Sequence, residues 1–474
     1  MKDFTLAEIA KACNGEYVGD ESLKNAKITS VERDSRQVKN GSLFLAIKGE
    51  RVDGHDFIEK CFAQGAVCAL CEKAPENATK PCIVVPSTLD AVKKIGRAYR
   101  EKFDIPVIGI SGSVGKTSTK EMLYAVLSQK FKTHKTQGNL NNELGVPLTL
   151  LSMPEDTEAA VIEMGISDFG EMTRLSEMVQ PTICVLTIIG ECHLENLGDR
   201  DGVLKAKTEM FKNARENADF ILNGDDDKLS TVKTVNGKKP VFFGLDAKND
   251  FYAKNIKNSG DGKVLATLCF DNNNIDVEIP AIGTYMVTNA LAAAAAGKLL
   301  GLTDEEIANG VASYKTVGSR ANVINTGKIK IIDDCYNANP TSVRASLDTL
   351  SNLDGRKVAI LGDMKELGSE ELKLHFDTGV YAKSKGIGTV ITVGELAKEL
   401  AKYGIRVNAV APGFIETEMM NGIPEELQKK YLEAIPEKRF GTVQDVANVV
   451  GQLCSDDFSY MTGQVLVLDG GLSL

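Results

Sequence analysis

No run of this sequence is long and apolar enough to span a bilayer, and the alanine-rich stretch Ala290–Leu300 is short and reads as a buried helix. The N-terminus, Met1-Lys2-Asp3-Phe4-Thr5, lacks the apolar core of a signal peptide. Positive charge is not in excess: 55 Lys and Arg stand against 65 Asp and Glu, a formal net charge of -10. That balance argues against nucleic acid or an anionic membrane as the main partner, so anionic ligands must be held by local sites. The ten cysteines are scattered without zinc spacing and read as reduced, buried cytosolic thiols. Histidine is scarce, with four residues, and there is neither an internal repeat nor a low-complexity segment. What remains is a cytoplasmic globular protein of ordinary composition, 43% hydrophobic and 25% charged. Its 474 residues suggest about three domains.

The chain is organised around Gly109-Ile110-Ser111-Gly112-Ser113-Val114-Gly115-Lys116-Thr117-Ser118. An apolar run, Pro106-Val107-Ile108, leads in, and a helix-like segment, Thr119–Leu123, leads out. Strand, glycine-rich turn and helix together make a phosphate-binding loop, in which backbone N–H groups and the helix N-terminus hold phosphate oxygens. Lys116 is placed to reach terminal phosphates and the Thr117 hydroxyl to hold Mg²⁺. The strict pattern wants glycine at position 110, where this chain has Ile110.

Residues 1–104 read as mixed α/β, with a polar turn at Asp34-Ser35-Arg36 and a buried strand within 41–47. Residues 105–317 alternate apolar runs and helical patterns, the sequence form of a doubly wound parallel sheet. Strands are expected at 160–162, 183–186, 220–222 and 241–243. Residues 318–474 form a third, Rossmann-like domain, with strands at 329–332, 358–361 and 389–393.

Several polar groups sit at strand ends, where ligands bind in such sheets. Glu163 closes Ala160-Val161-Ile162; alone, it reads as a solvated strand-end residue. His193, followed by Glu195, comes after the strand at 183–186. Lys205 and Lys207 fall in a helix, where lysines ordinarily form a solvated face. Asn223-Gly224-Asp225-Asp226-Asp227 reads as a ligand-facing loop or a plain turn. Asp333-Asp334-Cys335-Tyr336-Asn337-Ala338-Asn339-Pro340 and Gly362-Asp363-Met364-Lys365-Glu366-Leu367-Gly368, with His375 beyond, repeat one logic at two strand tips.

Taken in order, these motifs resemble the Mur ligases of peptidoglycan synthesis. The set also includes Asp53-Gly54-His55-Asp56-Phe57, Gly138-Asn139-Leu140-Asn141-Asn142, Glu191-Cys192-His193-Leu194-Glu195 and Asn289-Ala290-Leu291-Ala292-Ala293, and it covers residues 1 to about 396. The Tyr-Asn-Ala-Asn-Pro and Gly-Asp-Met-x-Glu-Leu-Gly pair is most similar to members that add D-alanyl-D-alanine to UDP-N-acetylmuramoyl-tripeptide. The resemblance implies a monomeric, ATP- and Mg²⁺-dependent amide ligase working through an acyl phosphate. It implies ATP contacts at Gly112, Ser113, Gly115, Lys116, Thr117, Ser118, Asn289, Arg320, Asp334 and Asn337. It puts Ser35, Arg36, Asn141 and Asn142 on the UDP-substrate side and Thr117, Glu163, His193 and Lys207 at the metal sites. Lys116, Glu163, His193 and Lys207 would be catalytic, and Lys207 matches a lysine carbamylated in relatives.

Two departures stand out. Tyr285 occupies a position where the family usually has histidine. From about Leu396 onward the chain resembles instead the C-terminal end of a short-chain dehydrogenase, most like a 3-oxoacyl-carrier-protein reductase, in Tyr403–Phe414 and Tyr460–Gly471. Residues 397–474 lack the ligase's Lys-Gly-Ser turn, and they also lack a reductase's glycine-rich dinucleotide turn and Tyr-x-x-x-Lys pair. A reductase is therefore the weakest reading. A ligase adding the third peptide residue is disfavoured by the missing Asp-Asn-Pro-Arg motif, and an impaired chimera that only binds nucleotides stays open. The tail is expected to extend the third domain's sheet through a helix at Glu395–Lys402, a strand at Ile405–Val410, helices at Pro424–Ala434 and Val443–Leu453, and a strand at Val465–Leu468.

Overall fold

The computed structural model describes all residues except 50, 51, 260, 261, 272, 395–405, 418, 419, 421, 422, 424, 459 and 474. They form two compact units. One comprises Met1–Ile189, Arg200–Pro280 and Met286–Thr316; the other comprises Gly190–Asp199, Ala281–Tyr285 and Val317–Leu474.

The first unit opens with helix Leu6–Cys13, started by a capping box in which the Thr5 hydroxyl accepts from Glu8 N–H and the Glu8 carboxylate accepts from Thr5 N–H. A five-stranded sheet follows, in the order Glu16–Val18, Cys82–Val84, Cys68–Cys71, Ser42–Leu45 and Ser30–Glu32. Its first pair is antiparallel and the rest parallel. Phe44, Ile58, Phe62 and Ala69 lie in its core.

A six-stranded, all-parallel sheet then runs Val241–Phe243, Asp219–Asn223, Ile183–Leu186, Val107–Ser111, Ala159–Glu163, Thr133–Lys135. The chain winds one way from Val107–Ser111 to the edge strand Thr133–Lys135, then the other way through Ile183–Leu186. Val107–Ser111 therefore lies at the topological switch point, where open α/β sheets bind ligands at the strands' carboxyl ends.

One element departs from the expected doubly wound pattern: a three-stranded antiparallel sheet of Tyr252–Ser259, Lys263–Phe270 and Asn273–Ile279. The alanine-rich helix spans Tyr285–Leu299, and Ala290–Ala296 are fully buried in it.

In the second unit, Asn322–Asn325 and Lys330–Asp333 make an antiparallel pair. A four-stranded parallel sheet runs Val358–Gly362, Thr389–Val393, Arg406–Pro412, Val465–Leu468. The tail strands thus extend the sheet as expected: Ile391 aligns with Asn408 and Val410 with Leu466. Helices Pro340–Ser351 and Glu371–Ser384 contribute Leu347 and Ala382 to one core with Val390. Leu453, on Val443–Cys454, packs with Ile391 and Val410 in another. The expected helix at Glu395–Lys402 and its neighbours Tyr403–Ile405 lie outside the described residues, as does Pro424.

Among the described residues no helix is long and apolar enough to cross a membrane. All ten cysteines are free thiols, but the expectation that all are buried needs correcting: Cys335 is exposed and Cys454 half-buried. Cys68 and Cys71 also form a Cys-x-x-Cys spacing. Both lie on a fully buried strand, where burial pushes the Cys68 thiol well up.

Candidate active site

Val107–Ser111 is buried at every position. Ile110, where the strict motif has glycine, is an interior strand residue with no exposure, so the loop proper begins after Ser111. Gly112 has φ +149°, and a Cβ there would stand 2.0 Å from Thr187 Oγ1, so only glycine fits. Ser113 N–H donates to Ile188 O (2.8 Å). Gly115, at φ +83°, caps helix Lys116–Leu127 in the left-handed region. Lys116 Nζ folds back over the loop and donates to Gly112 O (2.8 Å) and Ser113 O (3.3 Å).

Thr117 Oγ1 donates to both Glu163 oxygens, at 3.1 and 3.0 Å. Glu163 is only 1% exposed, so its reading as a solvated strand-end residue is wrong. Its carboxylate also accepts from Asn141 Nδ2 (2.8 Å) and lies 3.4 Å from Lys120 Nζ. Asn141, assigned by resemblance to the UDP-substrate side, thus has its amide engaged beside the phosphate loop. Asn142 Oδ1 accepts from Gly145 N–H (2.8 Å), the first residue of helix Gly145–Leu151.

Lys120 was not singled out from sequence. It is itself 1% exposed, and it sits three residues after Thr117, one helical turn along the same face. It lies 3.4 Å from Glu121, which Lys135 also pairs with. Lys120 and Lys135 thereby offset Glu121 and Glu163, and a buried charge without a partner would be costly.

Ser118 is half-buried. Thr119 Oγ1 donates to Asn289 Oδ1 (3.0 Å), tying Asn289, assigned by resemblance to the nucleotide, to the loop helix. Lys205 is exposed, over the Phe169 ring, whereas Lys207 is buried at 1% exposure, so the solvated-face reading holds for the first only.

Ser35 and Arg36 lie in the expected polar turn. Arg36 chelates Asp34 and holds its carboxyl at about 2. The Asn223–Asp227 segment is a structural turn. Asp226 accepts from Ile189 N–H (2.9 Å) and Leu229 N–H (2.8 Å).

The second unit holds the remaining candidates. His193 has φ +51°, and its Nδ1 lies 2.5 Å from Glu366 Oε2. The Arg320 guanidinium stacks 4.0 Å from the Tyr336 ring centroid. Asp334 accepts from Ala321 N–H (3.0 Å) and from Ser346 Oγ. Asn337 is exposed and its Oδ1 accepts from Ala338 N–H (2.9 Å). Tyr285, at the family's histidine position, occupies with its ring the space a Cβ on Gly283 would take (2.4 Å). His375 is fully buried and structural: Nε2 accepts from Met364 N–H (2.9 Å), and Nδ1 lies 2.7 Å from Glu371 O.

Tyr381 and Lys385 do have a Tyr-x-x-x-Lys spacing, upstream of residues 397–474. Both are committed to Asp348, with Tyr381 Oη donating at 2.8 Å and Lys385 pairing at 2.6 Å. Burial and that carboxylate push the Tyr381 phenol up, the opposite of what a proton-donating catalytic tyrosine needs at neutral pH.

The Thr117 hydroxyl and Glu163 carboxylate form an all-oxygen pair at the mouth of a phosphate loop. That donor set suits a hard divalent cation such as Mg²⁺. No group of three or more His, Cys, Asp or Glu side chains is gathered among the described residues. Mg²⁺ held through one carboxylate, waters and phosphate oxygens needs none.

A parallel sheet with a phosphate loop at its switch point and a buried Thr–Glu pair defines a nucleoside-triphosphate-using α/β enzyme. This chain belongs to the Mur ligase family. Residues 110–297 match the Mur ligase middle domain and residues 27–101 the Mur ligase family catalytic domain. It is 36% identical over 409 residues to UDP-N-acetylmuramoyl-tripeptide–D-alanyl-D-alanine ligase of Bacillus subtilis, covering 85% of this chain and 88% of that one. The Escherichia coli ligase of the same name is 36% identical over 83% of this chain and 87% of its own. Among solved structures, MurF from Acinetobacter baumannii superposes with a TM-score of 0.81 at 29% identity, covering 100% and 97% of the two chains. MurF from Thermotoga maritima in complex with ADP gives 0.74 at 27% identity, covering 94% of each. Residues 361–473 match a second model, enoyl-(acyl carrier protein) reductase, which begins upstream of the tail boundary expected near 397.

Proposed function

We propose that this chain is an ATP-dependent ligase that joins D-alanyl-D-alanine to UDP-N-acetylmuramoyl-tripeptide in peptidoglycan synthesis. The observation that carries this reading is the phosphate loop with its buried Thr117–Glu163 pair, in a chain matching 88% of the Bacillus subtilis ligase. The tripeptide's terminal carboxylate oxygen attacks the γ-phosphorus of ATP, ADP leaves, and an acyl phosphate forms. The dipeptide amine then attacks the acyl carbon, phosphate leaves, and the amine's proton passes to solvent or phosphate.

Gly112 to Ser118 cradle the phosphates, and Lys116 swings from the loop carbonyls to the transferring group, where charge develops. Thr117 and Glu163 would hold Mg²⁺, and His193 and Lys207 would serve a second metal ion. Mg²⁺ bound there would supply neutralisation of the charge that develops on the transferring phosphoryl group. A carbamate on Lys207 turns a buried cation into an anion that supports this arrangement. Asn289, Arg320, Asp334 and Asn337 take the nucleotide side, and Ser35, Arg36, Asn141 and Asn142 the UDP side. The chain divides functionally at 1–104, 105–317 and 318–474, and works as a cytoplasmic monomer without nucleic acid or membrane insertion.

The reductase-like match over residues 361–473 and the missing Lys-Gly-Ser turn favour one qualification, weakened capture of the dipeptide. Phosphate release is measured with UDP-muramoyl-tripeptide, ATP and Mg²⁺, adding either D-alanyl-D-alanine or free lysine or diaminopimelate. Release driven only by the dipeptide is the expected result. Release driven by the free amino acid would assign the chain to the preceding step.

A further inference from the structure

A strap of chain, Thr187-Ile188-Ile189, holds the phosphate loop from one side. It continues strand Ile183–Leu186, which pairs with Val107–Ser111. The strap is anchored behind by the Asn223–Asp226 turn. Asn223 Nδ2 donates to Thr187 O (2.8 Å), and Asp226 Oδ2 accepts from Ile189 N–H (2.9 Å). Both side chains are buried. In front, the strap holds the loop at three points. Thr187 N–H donates to Ser111 O (3.1 Å), Ile188 O accepts from Ser113 N–H (2.8 Å), and Thr187 Oγ1 donates to Val114 O (2.5 Å). The hydroxyl has one proton to give. Its other carbonyl neighbour, Ser111 O, is 3.5 Å away, at the limit of a hydrogen bond, so the proton goes to Val114.

That contact decides where a peptide unit points. The Val114–Gly115 bond is trans, so its C=O and N–H point in opposite directions. Turning Val114 O onto Thr187 turns Gly115 N–H away from the strap. Among the described residues no group accepts from that N–H. Gly115 is half-buried and precedes the first residue of helix Lys116–Leu127, a place where N–H groups bind phosphate oxygens. Filling of space does not account for Thr187. It is the oxygen that stands 2.0 Å from where a Cβ on Gly112 would fall, while Thr187 Cβ stands 3.2 Å away. The loop backbone closes on the hydroxyl.

We infer that Thr187 is a positioning residue for the phosphate loop: its hydroxyl fixes the Val114–Gly115 peptide so that Gly115 N–H is presented to a phosphate oxygen of the nucleotide. The inference rests on the reading of residues 112–118 as the ATP site given above.

The test uses the full chain and two variants that separate the hydroxyl from the methyl. Thr187→Val keeps the shape of the side chain and loses the donor. Thr187→Ser keeps the donor and loses the methyl. ATP is titrated calorimetrically into each chain in the presence of Mg²⁺. Thr187→Val is expected to weaken ATP binding about 10-fold, through one buried acceptor left unpaired and a peptide no longer held. Thr187→Ser is expected to bind ATP near the wild-type value, even where its melting temperature falls through the lost methyl. Should Thr187→Val fail to fold, Thr187→Ala takes its place and must lose the affinity that Thr187→Ser keeps. Weaker binding in Thr187→Ser than in the variant without a hydroxyl would make Thr187 a packing residue and overturn the inference. Wild-type affinity in the variant without a hydroxyl would overturn this inference alone, whereas no ATP binding by the wild-type chain would overturn the ATP reading and this inference with it.

Discussion

The two parallel sheets are built alike in backbone and differently in side chains. In the sheet carrying the phosphate loop, Val107–Ser111, Ala159–Glu163 and Ile183–Leu186 are buried at every position. That is the state expected of parallel strands covered on both faces. In the C-terminal sheet, Val358–Gly362 and Val465–Leu468 alternate, leaving Ile360 53% and Val467 54% exposed. The tail satisfies the ladder, residue by residue, through Arg406–Pro412 and Val465–Leu468, yet Val465 and Val467 on its outer strand stay exposed. Hydrogen bonding of a parallel edge needs only backbone, so a segment resembling another family can supply it. Close packing needs matched side chains, which two unrelated segments do not share.

The sharpest way to break this contrast is at the loop. Lys116→Ala is expected to lower kcat about 10²–10³-fold, since its cation acts on developing charge. The thermal melt should be unchanged. Near-normal turnover would remove Lys116 from the chemistry. Lys207→Ala should also lose most activity and regain part of it with added short carboxylic acids; full activity without rescue would make Lys207 a core lysine only.

The packing contrast itself is read by paired truncations. Ile162→Ala should cost about 2–5 kcal/mol in denaturant unfolding, whereas Val467→Ala should cost no more than about 1 kcal/mol. Equal costs would mean that the outer strand is packed after all. Smallest is the effect of the exposed Asp34–Arg36 pair. Arg36 depresses the Asp34 carboxyl to about 2, so its stabilisation is present above the ordinary carboxyl value of about 4 and fades as pH falls toward 2. Arg36→Ala should lower stability slightly at pH 7, flatten the acid limb of stability against pH, and make no difference once pH falls toward 2.

Much of this was legible in the sequence, for physical reasons. Ile183–Leu186, Val241–Phe243, Thr389–Val393 and Val465–Leu468 are short apolar runs between turn residues, and each forms a strand at its expected bounds. The phosphate loop was legible because Gly112 and Gly115 are demanded by backbone geometry. The antiparallel sheet of Tyr252–Ile279 was not, because its two outer strands, Tyr252–Ser259 and Asn273–Ile279, are largely polar and exposed; Asn273–Ile279 buries only every second residue from Ile275 on. Lys120 was missed for a different reason. A lysine reads as solvated until the fold brings its partner, here Glu163, alongside. Lys207 reads as solvated by the same local logic and is buried.

The most direct test of the central claim is the mass of the nucleotide product. The purified full chain is incubated with UDP-N-acetylmuramoyl-tripeptide, ATP, Mg²⁺ and a series of D-alanyl-D-alanine concentrations. The expected result is UDP-N-acetylmuramoyl-pentapeptide formed one-for-one with ADP, saturating only at high dipeptide concentration. Tight nucleotide binding with no pentapeptide at any dipeptide concentration would contradict it and leave a chain that binds the ligase's nucleotides without joining its substrates.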